Sequence, residues 1–569
     1  MGGGGGKILD SPKTGDNSEF EGGDDLKNDD QKDTAWENPT YKTFEEYYSD
    51  FNISKETITE KDYTGKGSLS NPYVVHSTKG FLYLMNYEVS NISLTNKYLE
   101  LACDIVLNDE TFDKDGNVYG GDGVVYNWDN PNADNDNKES YLYFNGKNHK
   151  IIGFYAKNDD SATGGSRKRL FPAKIYSFEN VDFENVFMYG GGCENVGIIS
   201  SSVTKISKVS FLSGFVVGKG GETSVFASYA DYIYDSVNYV DVYSYYQGAS
   251  GFIYKIRKEV KNCINYGNIF IEKTGTSSSN GRGGGLVQNM EPGALIEDCV
   301  NYGNVIQPEA HQGGGIVAWA VGTIKNCINY GKICGNGAIG GIVGYKSDSN
   351  LSILNCENYG ELSVSNKSAS GAILGSSCYN DTTDIFIENC YVVLSDGVPI
   401  VGNCTNTKNI SKSSLSLTNC KADVFDNNLS RVLCLSGSHY NEFRQYNISN
   451  IEINIYGTGN KEISLIFNKN SLKNNYFVKN IVINIANENA KFTPLSNNNT
   501  NSRTVNVDGL IVNQAGNRCY YGVDFSGFYC DWKSGNIGLK ALNGKGFYQG
   551  SVSESVLQEK GFVKKVFPA

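Results

Sequence analysis

A six-residue tract, Asn-Cys-Ile-Asn-Tyr-Gly, recurs through the middle of the chain. It stands at 262–267 and returns as Asp298-Cys299-Val300-Asn301-Tyr302-Gly303, as Asn326-Cys327-Ile328-Asn329-Tyr330-Gly331 and as Asn355-Cys356-Glu357-Asn358-Tyr359-Gly360. A unit of this kind cannot bury its own apolar face. Repetition at such a period therefore predicts a solenoid, in which each coil buries its face against the next.

Fainter copies extend the register. If only an Asn or Asp, a small or apolar marker and then alternation are required, the markers are Ile152, Val181, Val209, Ser236, Cys263, Cys299, Cys327, Cys356, Cys390, Cys420, Ile451, Ile481 and Gly509, spaced 27 to 36 residues apart. Only Ile152 and Val209 lack the preceding Asn or Asp, having Ile151 and Lys208 instead. A second apolar patch follows most markers 16 to 18 residues later, as in Val225-Phe226, Gly314-Gly315-Ile316-Val317 and Gly340-Gly341-Ile342-Val343-Gly344. The longer step after Cys263 is read as a loop insertion at Ser277-Ser278-Ser279-Asn280.

Local chemistry selects strand over helix. Ile451-Glu452-Ile453-Asn454-Ile455 and Ile481-Val482-Ile483-Asn484-Ile485 alternate with period two and are β-branched, and the 65 glycines punctuate short runs. The expectation is an all-β chain, a right-handed parallel β-helix with two or three short strands per coil. Thirteen coils at about 4.8 Å would make a rod of roughly 60 Å. Marker residues should point inward and stack, and Asn265, Asn301, Asn329 and Asn358 should bond the same amide above and below.

Four segments are expected. Residues 1–68 form an acidic Gly/Asp-rich tail or anchor, 69–150 a cap on the solenoid, 151–514 the repeats and 515–569 a C-terminal module. Of the net charge of −12, the first 70 residues contribute −8, from sixteen acidic residues against eight lysines. Such a tail disfavours nucleic acid and anionic membrane surfaces. The start, Met1 to Asp10, shows no apolar signal segment and no 18-residue apolar run occurs, so no membrane insertion is expected. Of the 14 cysteines, six from Cys263 to Cys420 share one phase of the repeat and read as buried thiols in place of valine or isoleucine. Residues 77–85 should form a short helix covering the first coil, and Tyr41 to Tyr48 is aromatic enough to dock.

Asn71-Pro72-Tyr73-Val74-Val75, Tyr98 to Asn108 and Phe144 to Gly153 together resemble the lead-in of bacterial surface proteins with GLUG-type repeats, and Gly340 to Gly344 resembles the GLUG core. That resemblance spans roughly 69–380 and implies a pectate-lyase-like β-helix without implying a reaction. The tether-like N-terminus and β-helical shaft also resemble bacteriophage tail fibres and tailspikes. This architecture implies a virion location, attachment to a bacterial surface glycan or protein, contacts with other tail proteins through the N-terminal tail, and a homotrimer. A bacterial surface adhesin and a polysaccharide depolymerase are the alternatives.

The ligand-binding candidates are Tyr266, Tyr302, Tyr330 and Tyr359, which the repeat places in one vertical ladder that could bind sugar rings or simply stabilise the solenoid. No catalytic residue, metal site or cofactor is assigned. Glu297, Glu357, Glu361 and Glu388 fall on neighbouring coils, where glycoside hydrolysis would need two carboxylates roughly 5 to 10 Å apart. Asp113, Asp115 and Asn117 begin a calcium-loop pattern, but Val118 stands where glycine is needed and no glutamate closes it, so a solvated acidic loop running on through Asp122, Asp129, Asp134 and Asp136 is expected. His76, His149, His311 and His439 are scattered, with His149 read as a turn residue and His311 as part of an exposed loop before Gly313-Gly314-Gly315.

Overall fold

The computed structural model describes residues 36–541 apart from 86–95, 129–141, 163–167, 172–173, 273–280, 310, 368, 378–382, 395–396, 403–413, 426–430, 435–444, 457–461, 469–474, 486–490, 498–502, 515–516, 522–527 and 532–537. The insertion at 277–280, three of the acidic-loop aspartates and His439 therefore lie outside the described residues. The chain is all-β, a solenoid of about ten turns whose strands pair in parallel from coil to coil.

The long face runs from Tyr73–Val75 through Tyr98–Leu101 and Tyr143–Ile152 to Arg503–Gln514. A second face of eight strands extends from Tyr155–Lys157 to Leu362–Val364, and a third of six from Asn195–Val196 to Ala338–Gly340. Thirteen marker positions exceed about ten complete turns because those two faces are shorter than the first.

The residue before each marker is the corner of the coil. Asn180, Asp235, Asn262, Asp298, Asn326, Asn355, Asn389, Asn419, Asn450 and Asn480 all have φ between +49° and +56°. Left-handed backbone costs most residues about 1 kcal/mol or more, and Asn and Asp least, because their short side chains bond locally. Lys208 adopts the same corner at φ +54° without that advantage. Exposed corner amides then bond along the axis, as in Asn355 Nδ2 to Asn326 Oδ1 at 3.0 Å and Asn389 Nδ2 to Asn355 Oδ1 at 3.1 Å.

Two marker assignments shift. Val181 pairs with His149 and Phe183 with Ile151, so the first marker is His149, following Asn148 at φ +66°, and not Ile152. Gly146, Lys147 and Asn148 stand opposite the single Asn180, an irregularity that moves the alternation out of phase with the sequence pattern. At the far end Ile481 pairs with Leu510, one residue beyond Gly509.

The core is one apolar column running the length of the solenoid, with Val181, Val209, Cys263, Cys299, Cys327, Cys356, Cys390, Cys420, Ile451 and Ile481 all buried in it. Nine cysteines, the six of the marker column with Cys103, Cys193 and Cys334, are free thiols. Burial pushes Cys299 and Cys356 well above the ordinary thiol value, while at Cys327 burial is outweighed by hydrogen bonds from those two thiols, which pull it down.

The first coil is closed by the helix Thr78–Tyr83, capped by Ser77 and burying Phe81, Leu82 and Tyr83. Residues 36–68, which the sequence reading assigns to a tail, fold onto this cap. The helix Phe44–Asp50 carries a capping box from Thr43 and Glu46. Tyr47 stacks on Tyr126 with centroids 4.0 Å apart and donates to the Leu107 carbonyl at 2.6 Å, while buried Tyr48 donates to the Leu82 carbonyl. Aromatic anchoring outweighs the acidic composition in this stretch. Parallel stacking ends at Gln514, where Arg503–Gln514 pairs antiparallel with Asn517–Tyr521 and Phe528–Asp531.

Candidate functional site

The four predicted tyrosines do form one ladder, and it is longer than predicted. Tyr239, Tyr266, Tyr302, Tyr330 and Tyr359 stack with centroids 4.5, 4.9, 5.0 and 5.2 Å apart and planes within 9° of parallel. Each ring is 38 to 47% exposed. Because every interior ring has a neighbour on both faces, the ladder offers a ligand ring edges and hydroxyls, not open faces. Burial raises Tyr266 and Tyr330, and a hydrogen bond of 2.6 Å donated to Glu357 adds to burial in raising Tyr359, whose hydroxyl is thereby engaged.

Three of the four candidate carboxylates are engaged. Glu297 bridges Lys261 and Lys325 at 2.7 Å each, and those two bonds lower its pKa to about 2. Glu361 pairs with Lys332 at 3.1 Å and Glu357 accepts from Tyr359. Glu297 and Glu388 occupy one register column with Lys325 and Leu354 between them. Three coils at about 4.8 Å separate their strands by roughly 14 Å, beyond the range for glycoside hydrolysis.

The other sequence candidates have structural partners. Asp113 accepts from the amides of Asp115 and Asn117 at 2.9 and 2.8 Å, closing the hairpin of Thr111–Phe112 with Val118–Tyr119, and Asp115 pairs with Lys114. No cluster of three metal-ligating side chains occurs among the described residues. His149 meets Asp104 at 3.2 Å and His76 meets Thr64 at 3.1 Å.

A second constellation, absent from the sequence reading, lies where the third face meets the long face. Lys255, Asn289, Trp319 and Tyr345 are successive register partners on the long face, and Arg282 and Gln312 are partners on the third. The Arg282 guanidinium lies flat over the Trp319 indole, 3.6 Å from its centroid, with Nε donating to Gln312 Oε1 at 3.2 Å and Nη1 reaching Asn289 Oδ1 at 3.5 Å. Arg282, Trp319, Lys255 and Asn289 line a cleft of about 330 Å³ with Tyr254, Met290, Pro292, Ser347, Ser349 and two carboxylates, Glu291 and Asp348.

Behind that cleft sits Glu222. Gly248 stands between it and Arg282 in the column, as the pairing of Thr223 with Ala249 and of Ala249 with Gly283 requires. A Cβ at Gly248 would overlap both Glu222 Oε2 and Gln288 Nε2, so glycine here opens the slot in which Gln288 donates to the Glu222 carboxylate. Burial raises the Glu222 pKa, opposed by the Gln288 bond and the Arg282 charge. The fully buried Gln288 keeps Oε1 without a partner, as does the buried Trp319 Nε1.

The second face carries a hollow of about 390 Å³ lined by Tyr243, Tyr245, Phe270, Ile306, Lys114 and Asp115. It continues the apolar surface that Phe112 and Val118 cover on Tyr155, Phe187 and Val217.

No family model and no curated protein matches the chain. Among solved structures, a protein described as a putative immunoglobulin A1 protease from Bacteroides ovatus is similar at 16% identity, covering 61% of this chain and 83% of that one, with a TM-score of 0.28. A likeness at that score carries no argument here. Among the described residues, no helix is long and apolar enough to cross a membrane.

The sequence holds only weak signals of the cleft. Trp319 is one of four tryptophans, and Arg282 directly precedes the Gly-Gly-Gly of a coil whose neighbours begin the same patch with Gln312 or Ala338. Their meeting with Glu222 is set by coil stacking.

Proposed function

We propose that this protein attaches to a bacterial surface glycan or protein, as a phage tail fibre or spike does, and does not process what it binds. The observation that carries this reading is the uninterrupted exposed tyrosine column from Tyr239 to Tyr359, a rigid row of hydroxyls at one-coil spacing. An extended polymer laid along the axis would meet one tyrosine hydroxyl per coil, that of Tyr359 being already engaged by Glu357. The engaged state of Glu297, Glu357 and Glu361 supports attachment over hydrolysis, since general acid and base must be free and of tuned pKa. On this reading the N-terminal segment links the shaft to other tail proteins and the molecule is a homotrimer on the virion. The GLUG-like tract at Gly340 to Gly344 supports a bacterial surface adhesin as the alternative setting.

A depolymerase is a second reading, favoured by one observation: burial raises the Glu222 carboxyl beside Arg282, the condition for a general acid. Incubating the protein with host cells and with extracted surface polysaccharide separates the two. Retention on cells without release of reducing ends is expected. Release that disappears in Glu222→Gln would overturn attachment in favour of depolymerisation.

A further inference from the structure

The tyrosine column is one side of a wider, uncharged strip. Two residues before each tyrosine stands an aliphatic residue, and Val237, Ile264, Val300 and Ile328 are register partners from coil to coil, each partly exposed. The asparagine between each such pair is fully buried. Alternation along a strand then turns the aliphatic residue and the tyrosine to the same outward side. The result is four stacked rows, Val237 with Tyr239, Ile264 with Tyr266, Val300 with Tyr302 and Ile328 with Tyr330. In the next coil Glu357 takes the aliphatic position and ends the strip.

Charges stand only at the margins, and they are engaged there. Lys261 and Lys325 bridge Glu297, and Lys261 also lies 3.6 Å from Asp298. Beyond the tyrosines the middle coils carry the neutral Asn268 and Asn304, with Asp241 and Lys332 at the two ends. Asp241 accepts from the Asn268 main-chain N–H at 2.6 Å, and Lys332 pairs with Glu361. A polyanion laid here would meet acids and lysines already paired with acids.

We propose that this strip binds an uncharged glycan in extended form, laid along the solenoid axis. Pyranose rings are amphipathic: their C–H faces can cover the aliphatic column while their hydroxyls exchange hydrogen bonds with the tyrosine hydroxyls. A peptide fits less well, because the main chain of the strip already pairs with the coils above and below and leaves no edge for strand addition. The proposal rests on the attachment reading for its site and narrows the ligand to an uncharged, extended glycan.

Its test uses polysaccharide extracted from host cells, freed of protein with protease, divided by anion exchange into uncharged and acidic fractions and cut to a ladder of sizes. The full chain is titrated with each by calorimetry. The uncharged fraction is expected to bind, with an affinity that barely changes with salt and rises with length until the chain spans the four rows. Val300→Asp, which puts a charge in the middle of the strip, should weaken binding at least tenfold. Thermal melting shows whether that variant is folded, and Tyr302→Ala, expected to lose at least threefold, carries the test if it is not. Binding confined to the acidic fraction, affinity independent of length, or unchanged affinity in a folded variant overturns the proposal. Retention on host cells is measured in parallel, before and after protease treatment of the cells. Retention that persists while no uncharged fraction binds, or that protease abolishes, overturns the choice of glycan alone, whereas loss of retention on untreated cells overturns attachment itself.

Discussion

Asn329 and Tyr330 are adjacent in sequence, and each stacks on its equivalents in the coils above and below, yet the two columns differ in kind. The asparagines face inward. Asn238, Asn265, Asn301, Asn329 and Asn358 are fully buried, and each amide donates to the next at 2.8 or 2.9 Å, with Asn265, Asn301 and Asn329 also donating to the carbonyl two residues on. The tyrosines face outward, share ring faces with one another, and leave edges and hydroxyls to solvent. One column is a closed hydrogen-bond network, the other an open surface with filled faces. Repetition alone therefore does not mark a binding site: what matters is which valences the stack leaves free. By that criterion the Arg282 cleft, where repetition breaks and Gln288 Oε1 and Trp319 Nε1 stay unpartnered, differs from both columns.

The inner column should be the fragile one. Gly315 sits where a Cβ would overlap the Gly341 carbonyl and the Asn329 amide, so Gly315→Ala is expected to lower stability by about 3 kcal/mol through overpacking. Denaturant unfolding that finds no loss would mean the coils separate more easily than their geometry implies. Asn329→Ala should cost about 2 to 3 kcal/mol, because Asn301 Nδ2 and Asn358 Oδ1 then lose a buried partner. In the outer column Tyr302→Ala should cost only about 1 kcal/mol, the worth of its stacking contacts, and Tyr302→Phe close to nothing for stability. If Tyr302→Ala proves as damaging as Asn329→Ala, the contrast between the columns is lost. Retention of Tyr302→Phe on cells then reports the contribution of a hydroxyl alone.

A change at the corner should act in the opposite direction. The exposed Lys208 holds a left-handed backbone that its neighbours fill with Asn or Asp, so Lys208→Gly is expected to raise stability by about 1 kcal/mol. A melting temperature that falls would show the lysine side chain to be more than a tolerated exception.

The smallest expected effect is in acid. Two lysines lower the Glu297 pKa to about 2 in the folded chain, so its stabilising contribution is complete above the ordinary carboxylate value of 4.5. That contribution is lost as the pH falls from about 4.5 towards 2. Glu297→Gln should flatten that limb of the melting-temperature profile, lying slightly below wild type above pH 4.5 and converging with it towards pH 2. Identical profiles for wild type and variant below pH 4.5 would show the bridge to be inactive.

What repetition encodes, the sequence by itself determined. Coil length, strand positions, the inward marker column, the amide ladder and the Asn or Asp corners are local patterns, and stacking identical units leaves little freedom in how they meet. The cap helix from Ser77 was legible for the same reason, through its N-cap and apolar run. Local pattern failed where units are unlike. His149 replaced Ile152 as the first marker because extra residues opposite Asn180 changed the phase, and 36–68 joined the cap because Tyr47 and Tyr48 find partners more than 30 residues away. The filled faces of the tyrosine ladder depend on the angle of each ring to the axis, which no spacing records. Arg282 and Trp319 come from separate coils and meet through stacking, and Glu222 meets Gln288 only because Gly248 leaves room for the pair. Only the tertiary structure decided these features, since they arise from contacts between dissimilar side chains whose separation along the chain carries no period.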